Sequence, residues 1–158
     1  MLFRSRATPW RSLLAATLDQ AHPAITAGEI AAEEGNPTAD LIAAWLSLRL
    51  GIPVARTVSS GPGLTAATFS TRVGDIKIER SDGRTATLSW PGRIDRMVAL
   101  HRRDTAELLA EELRRLDPDE VYAETLGYID AVTEEAAASD MDEVVDDIDD
   151  LEDLAEGE

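Results

Sequence analysis

The stretch Asp75-Ile76-Lys77-Ile78-Glu79-Arg80-Ser81-Asp82-Gly83-Arg84-Thr85-Ala86-Thr87-Leu88-Ser89-Trp90 decides the fold. Ile76, Ile78 and Leu88 alternate with polar neighbours, the pattern of strands with one buried and one solvated face. Asp82-Gly83 between them is the strongest hairpin signal in the chain. Thr65–Thr71 reads as a preceding strand across a turn at Gly74, and a further strand is expected near Met97–Leu100. Ile25–Ala32 is a weaker strand candidate. The sheet is therefore expected to be short and antiparallel, over about residues 54–100.

Outward from the sheet the apolar spacing lengthens to three and four. Thr8-Pro9, Asn36-Pro37 and Asp117-Pro118 each place a capping side chain before a proline at a first helical position, where its missing N–H costs nothing. The expected helices run from Pro9 to about Gln20, from Pro37 to Leu50, from Asp104 to Leu116 and from Pro118 to about Val132. Gly51 and Pro53 stop the second. Asp117 to Glu120 approximates a capping box. In the third helix Leu109, Leu113 and Leu116 form one stripe, with Glu111–Arg115 as a supporting pair; in the last, Tyr122, Leu126 and Ile129 line up. Helices at both ends with strands between give an α+β fold, the short antiparallel sheet packed by N-terminal and C-terminal helices.

The 158 residues argue for one domain, and their charge is unevenly spread: the net value is −16, with 31 acidic and 15 basic residues. All 15 basic residues lie at or before Arg115, whereas Ala131–Glu158 holds 13 acidic residues and no basic one. Residues 1–133 are read as the domain and 134–158 as an acidic disordered tail, too poor in apolar groups to offset its ordering entropy. Like charges at Asp142–Asp146 and Asp146–Asp150 oppose a helix there. A short motif that docks on a basic surface is the other reading of the tail.

This composition disfavours nucleic acid as a partner, since phosphate affinity comes from excess Lys and Arg. The chain has no cysteine, which removes disulfides and thiol chemistry. With His22 and His101 as the only histidines, a metal site or a His-dependent triad is not expected, and neither is a cofactor. Leu13–Leu18 is too short for a signal core and no run is long enough for a membrane helix, so a cytoplasmic location is expected.

Few groups carry candidate chemistry. Ser59-Ser60-Gly61-Pro62-Gly63 matches neither the P-loop nor the dinucleotide fingerprint. Its plain reading is a turn; its other reading is a backbone cradle for an anion. His101-Arg102-Arg103 is the densest basic spot. It reads as a phosphate or acidic-surface contact, or as a solvated loop paired with Asp104 or Glu107. His22 reads as an exposed loop residue, and adjacent Glu111 and Glu112 diverge too far to work as an acid/base pair. Trp45 belongs to the core, whereas Trp10 and Trp90 suit a domain seam or an interface anchor. No nucleophile, base and orienting group can be assembled, so the chain is not expected to be an enzyme.

Two long stretches, Asn36–Val54 (from Asn-Pro-Thr-Ala-Asp-Leu through Leu-Gly-Ile-Pro-Val) and Ala106–Tyr122, carry a resemblance. Together with Ser60-Gly61-Pro62-Gly63, Trp90-Pro91-Gly92-Arg93 and Thr8-Pro9-Trp10-Arg11, the chain resembles the C-terminal domain of the OpcA family of glucose-6-phosphate dehydrogenase assembly proteins, over roughly Thr8 to Tyr128. The resemblance implies a non-catalytic accessory protein that assembles or activates that dehydrogenase, which opens the oxidative pentose phosphate pathway and supplies NADPH. It also implies a further N-terminal domain. Cyanobacterial members are linked to thioredoxin control, which a cysteine-free chain cannot sense directly. Trp10, Trp90, Arg102 and Arg103 are the candidate partner contacts. The competing expectation is a sensor domain that binds a sugar phosphate or nucleotide through the Ser59–Gly63 loop and nearby arginines.

Overall fold

The computed structural model describes residues 2–80, 82–114 and 117–135. Six strands form one sheet: β1 (Ile25–Ala32), β2 (Val54–Val58), β3 (Leu64–Thr71), β4 (Gly74–Glu79), β5 (Thr85–Ser89) and β6 (Arg96–Ala99), in the order β2-β1-β3-β4-β5-β6. Helices α1 (Leu2–Leu18), α2 (Pro37–Leu50) and α3 (Thr105–Arg114) are followed by α4, residues 120–135. The fold is α+β, as expected. The sheet is larger than about residues 54–100, because β1 joins it and pairs antiparallel with β3 and parallel with β2. A parallel pair needs a crossover, and α2 supplies it. The expected disordered acidic tail falls, from residue 136 on, outside the described residues; residues 134 and 135 still belong to α4.

Alternation sorts the two faces of the sheet. Ile30, Ala67, Ile78 and Leu88 stand opposite one another across four strands, and Gly28, Phe69 and Ile76 form the next row. These residues are buried, while Glu29, Glu79 and Met97 on the opposite face are exposed. On the buried face α2 packs against β1 and β2, α1 against α2, and α3 against α1. The core lies between the layers and centres on Trp10, Leu14, Ile30, Ile42, Leu46, Phe69, Ile76 and Ile78. Trp45, expected in the core, is half-buried at its rim, with the Arg11 guanidinium 5.7 Å from its ring centre.

The best-specified element is α2. Asn36 Oδ1 accepts hydrogen bonds from Thr38 N and Ala39 N at 3.0 and 3.3 Å, Pro37 opens the helix, and Gly51 closes it at φ 65°. That left-handed conformation is open to glycine and costly for other residues. Asn36→Ala is expected to destabilise the fold by about 1 kcal/mol, the usual value of such a cap, read as a lower urea midpoint with unchanged slope.

Elsewhere tertiary contacts overrule the local signals. Helix α1 begins seven residues before Pro9 and carries the proline inside it, where the expectation was a start at Pro9. The lost backbone bond is offset because the preceding turns are anchored: Ala7 is fully buried, and Arg4 and Ser5 both bind Glu112 of α3. That contact also orients α3. Leu108, Glu111 and Glu112 face inward, while Leu109 and Leu113, expected to share the apolar stripe, are 50% and 74% exposed. Leu116 and Arg115 lie outside the described residues; Glu111 pairs instead with Arg114 at 3.5 Å. The capping box is at Asp104 and Glu107, each accepting the other's backbone N–H, and not at Asp117–Glu120. Asp119 caps α4 through Tyr122 N, so Pro118 precedes the cap. In α4 Tyr122 of the expected line packs against the core and Ile129 is half-buried, but Leu126 turns outward and Thr125 takes the buried position beside them.

Burial pushes the Glu112 carboxyl up, but hydrogen bonds from Ser5 and Arg4 and the Arg4 charge outweigh it and hold the group below its ordinary value of 4.5. A depressed value means that the carboxylate contributes stability above the ordinary range and loses it as pH falls through the folded value. Acidification from about pH 5 to about pH 3 is therefore expected to destabilise the wild type more steeply than Glu112→Gln, measured by urea midpoints across that range.

Candidate functional site

Two turns and one helix start meet at a single concavity. The loop before β3 ends at Gly63, α2 begins beside it, and the segment from Leu100 to Arg103 crosses in front. The resulting cavity of about 150 Å³ is lined by Arg6 and Trp10 of α1, Glu33, Asn36, Gly63, Arg80 and the run His101–Arg103, with Leu108 of α3 closing one side. Four arginines and one carboxylate thus share a small space in a chain whose net charge is −16.

Arg80 is the unusual member. It follows Glu79 at the end of β4, and the alternation that buries Ile76 and Ile78 carries it inward as well. The residue is 4% exposed. Its Nη1 donates to Leu100 O at 3.1 Å and its Nη2 to Leu64 O at 2.9 Å. Its guanidinium carbon lies over the Trp10 ring, 5.1 Å from the centre. No carboxylate pairs with it among the described residues. Burial, together with the charge of Arg102, lowers its pKa from the ordinary value, while Asp82 acts in the opposite sense. Arg80 Nε and Trp10 Nε1 are buried without a hydrogen-bond partner.

Gly63 shapes the floor. Its φ of 67° suits glycine, and its carbonyl accepts from Glu33 N at 3.0 Å. A methyl group placed on it would lie 3.7 Å from Arg102 Nε and 4.0 Å from both Arg80 Nη2 and Asn36 Nδ2. Three side-chain nitrogens therefore converge on the space that a Cβ would fill. Asn36 Nδ2 also donates to Glu33 Oε1 at 3.1 Å, which holds the carboxylate to one side.

A model of the family described as the C-terminal domain of the glucose-6-phosphate dehydrogenase subunit matches residues 3–126. The chain belongs to this family. Comparison with the curated proteins and with the solved structures returns no match. The matched range spans α1 through the first turns of α4, so every group of the cavity lies within the family's domain.

Of the residues singled out from sequence, Arg102 and Arg103 line this cavity and form no ion pair with a described residue; the His101 ring lies 3.7 Å from Glu107. Trp10 is 2% exposed, because α1 starts early enough to place it mid-helix over the core. Trp90 is half-buried, with the Arg93 guanidinium 4.4 Å from its ring centre, beside Ile94 at 91% exposure. His22 is half-buried rather than exposed, its ring nitrogens 3.0 Å from Leu18 O and 2.8 Å from Pro23 O. Arg80, Asn36 and Glu33 were missed as site residues. The signal for Arg80 was present, since period two from Ile76 and Ile78 puts it on the buried face. Among the described residues no group of three or more His, Cys, Asp or Glu side chains is placed to hold a metal, and no helix is long and apolar enough to cross a membrane.

Proposed function

We propose that this chain is a non-catalytic accessory protein that assembles or allosterically activates glucose-6-phosphate dehydrogenase. The observation that carries the reading is membership, over residues 3–126, of a family named for a subunit of that enzyme. An accessory protein of this kind works by binding the active form of its target more tightly than the inactive one, and it shifts the balance only by that difference. A tenfold preference is worth about 1.4 kcal/mol.

Such work needs an exposed apolar surface, and the terminal helices offer one. Leu109 and Leu113 of α3 stand out from the fold, as do Leu126 and Val132 of α4. Leu109 and Leu113 lie four residues apart and so share one face of α3. The loop from Trp90 to Ile94 is the second contact, with Ile94 as its apolar tip and Arg93 as its charge.

Titration of the full chain into the purified dehydrogenase, followed by activity and by sedimentation, tests the reading. The expected result is a change in both, weakened about tenfold by Leu113→Asp, a substitution at an exposed position that spares the core. No change in either measurement rejects the accessory role. The second reading, a sensor of a small phosphorylated ligand, is favoured by the arginine-lined cavity.

A further inference from the structure

We propose that the cavity between Gly63, Arg80 and Arg102 binds the phosphate group of a small phosphomonoester. Three independent features of the site lead there. First, the cations are supplied in excess: Arg6, Arg80, Arg102 and Arg103 line the cavity against Glu33 alone, and neither Arg6, Arg102 nor Arg103 has an ion-pair partner among the described residues. Second, Arg80, only 4% exposed and stacked 5.1 Å from the Trp10 ring centre, is a buried cation that no carboxylate among the described residues neutralises. A buried charge without a counter-charge is costly and calls for an anion. Third, the absence of a side chain at Gly63 leaves a space that Arg102 Nε, Arg80 Nη2 and Asn36 Nδ2 surround at 3.7 to 4.0 Å.

The size of the space selects the ligand. Ordinary small-molecule pockets enclose about 300–1,000 Å³; this one encloses about 150 Å³. It accommodates a charged headgroup and a few further atoms, with any larger organic body left outside. Arginine forks match phosphate oxygens in pairs, and several donors arriving from different elements suit a tetrahedral dianion better than a planar carboxylate. The N-terminus of α2 adds only its dipole, because Pro37 has no N–H and Asn36 already holds those of Thr38 and Ala39. The N–H groups of that helix are thus occupied, and the site depends on its arginines.

The test needs no dehydrogenase, so its outcome is independent of the accessory role. The full chain, in a phosphate-free buffer of low ionic strength, is titrated with inorganic phosphate, glucose 6-phosphate and glucose, with binding read by thermal shift and calorimetry. Phosphate and glucose 6-phosphate are expected to raise Tm by about 8 °C at 100 times their dissociation constants, and glucose not at all. A larger effect of the sugar phosphate shows that the mouth also reads the organic body; equal effects show that the headgroup alone is read. Arg102→Ala, at an exposed side chain, is expected to weaken binding about tenfold or more while leaving the unliganded Tm in place. Arg84→Ala, exposed and outside the cavity, leaves binding unchanged. The proposal is overturned if neither phosphate compound binds, or if Arg102→Ala binds them as the wild type does.

Discussion

Trp10→Ala is expected to cost about 3–5 kcal/mol, the range for truncating a buried aromatic side chain. Folded domains of this size keep only about 5–15 kcal/mol in hand, so the variant loses a large part of its stability. Trp10 is 2% exposed and sits where α1, the end of β4 and the cavity wall meet. Its removal opens a void that rigid neighbours fill only in part, and it takes away the aromatic surface under the Arg80 guanidinium. One term acts in the other direction: the indole N–H is buried without a partner, and removing such a group relieves about 1–3 kcal/mol. Trp10→Phe separates the two effects, because it keeps most of the ring volume and discards the orphan donor. Its cost is expected to be less than half that of the alanine variant. Urea unfolding followed by far-UV circular dichroism reads both, as shifts of midpoint at constant slope.

How far the sequence reveals this arrangement depends on whether neighbouring residues or distant ones decide each element. Asn36-Pro37 and Gly51 act through their own backbone, so both ends of α2 can be read directly. The β4–β5 hairpin is equally local: Asp82 Oδ1 takes the N–H groups of Arg84 and Thr85, and the alternation of Ile76, Ile78 and Leu88 sets the register. The start of α1 is not local. Pro9 reads as a boundary until Ser5 and Arg4 meet Glu112, a contact more than a hundred residues away in sequence. The same contact chooses between two leucine faces of α3 that spacing alone leaves equivalent, and it buries Leu108 rather than Leu109. Strand β2 gives little signal because its partner, β1, lies across the helix that makes the parallel pairing possible. The cavity is hidden for a similar reason: Gly63, Arg80 and Arg102 come from three separate segments, and only Arg80 announces itself, as a charge on the inward side of a strand end.

That charge supports the second large prediction. Arg80→Met is expected to destabilise the fold by about 2–4 kcal/mol. Two terms compete. The guanidinium carries a desolvation cost, visible as a pKa below the ordinary arginine value, and methionine removes it while filling much of the same volume. Against this, the Leu64 and Leu100 carbonyls lose charged donors at 2.9 and 3.1 Å, bonds worth about 1.5–3 kcal/mol each. The second term wins, because these bonds tie the start of β3 to the segment that follows β6. Arg80→Lys should lie between, since one ammonium cannot serve two carbonyls with the fixed geometry of a fork. Hydrogen exchange adds a local readout: the amides of Leu100 and Arg102, bonded to Arg84 O and Gly83 O, are expected to lose protection first in the methionine variant. A methionine variant as stable as the wild type would reverse the ordering of the two terms. The charge would then be a net cost to folding, and anion recognition would be left as the physical reason for an arginine where the strand period calls for an apolar side chain.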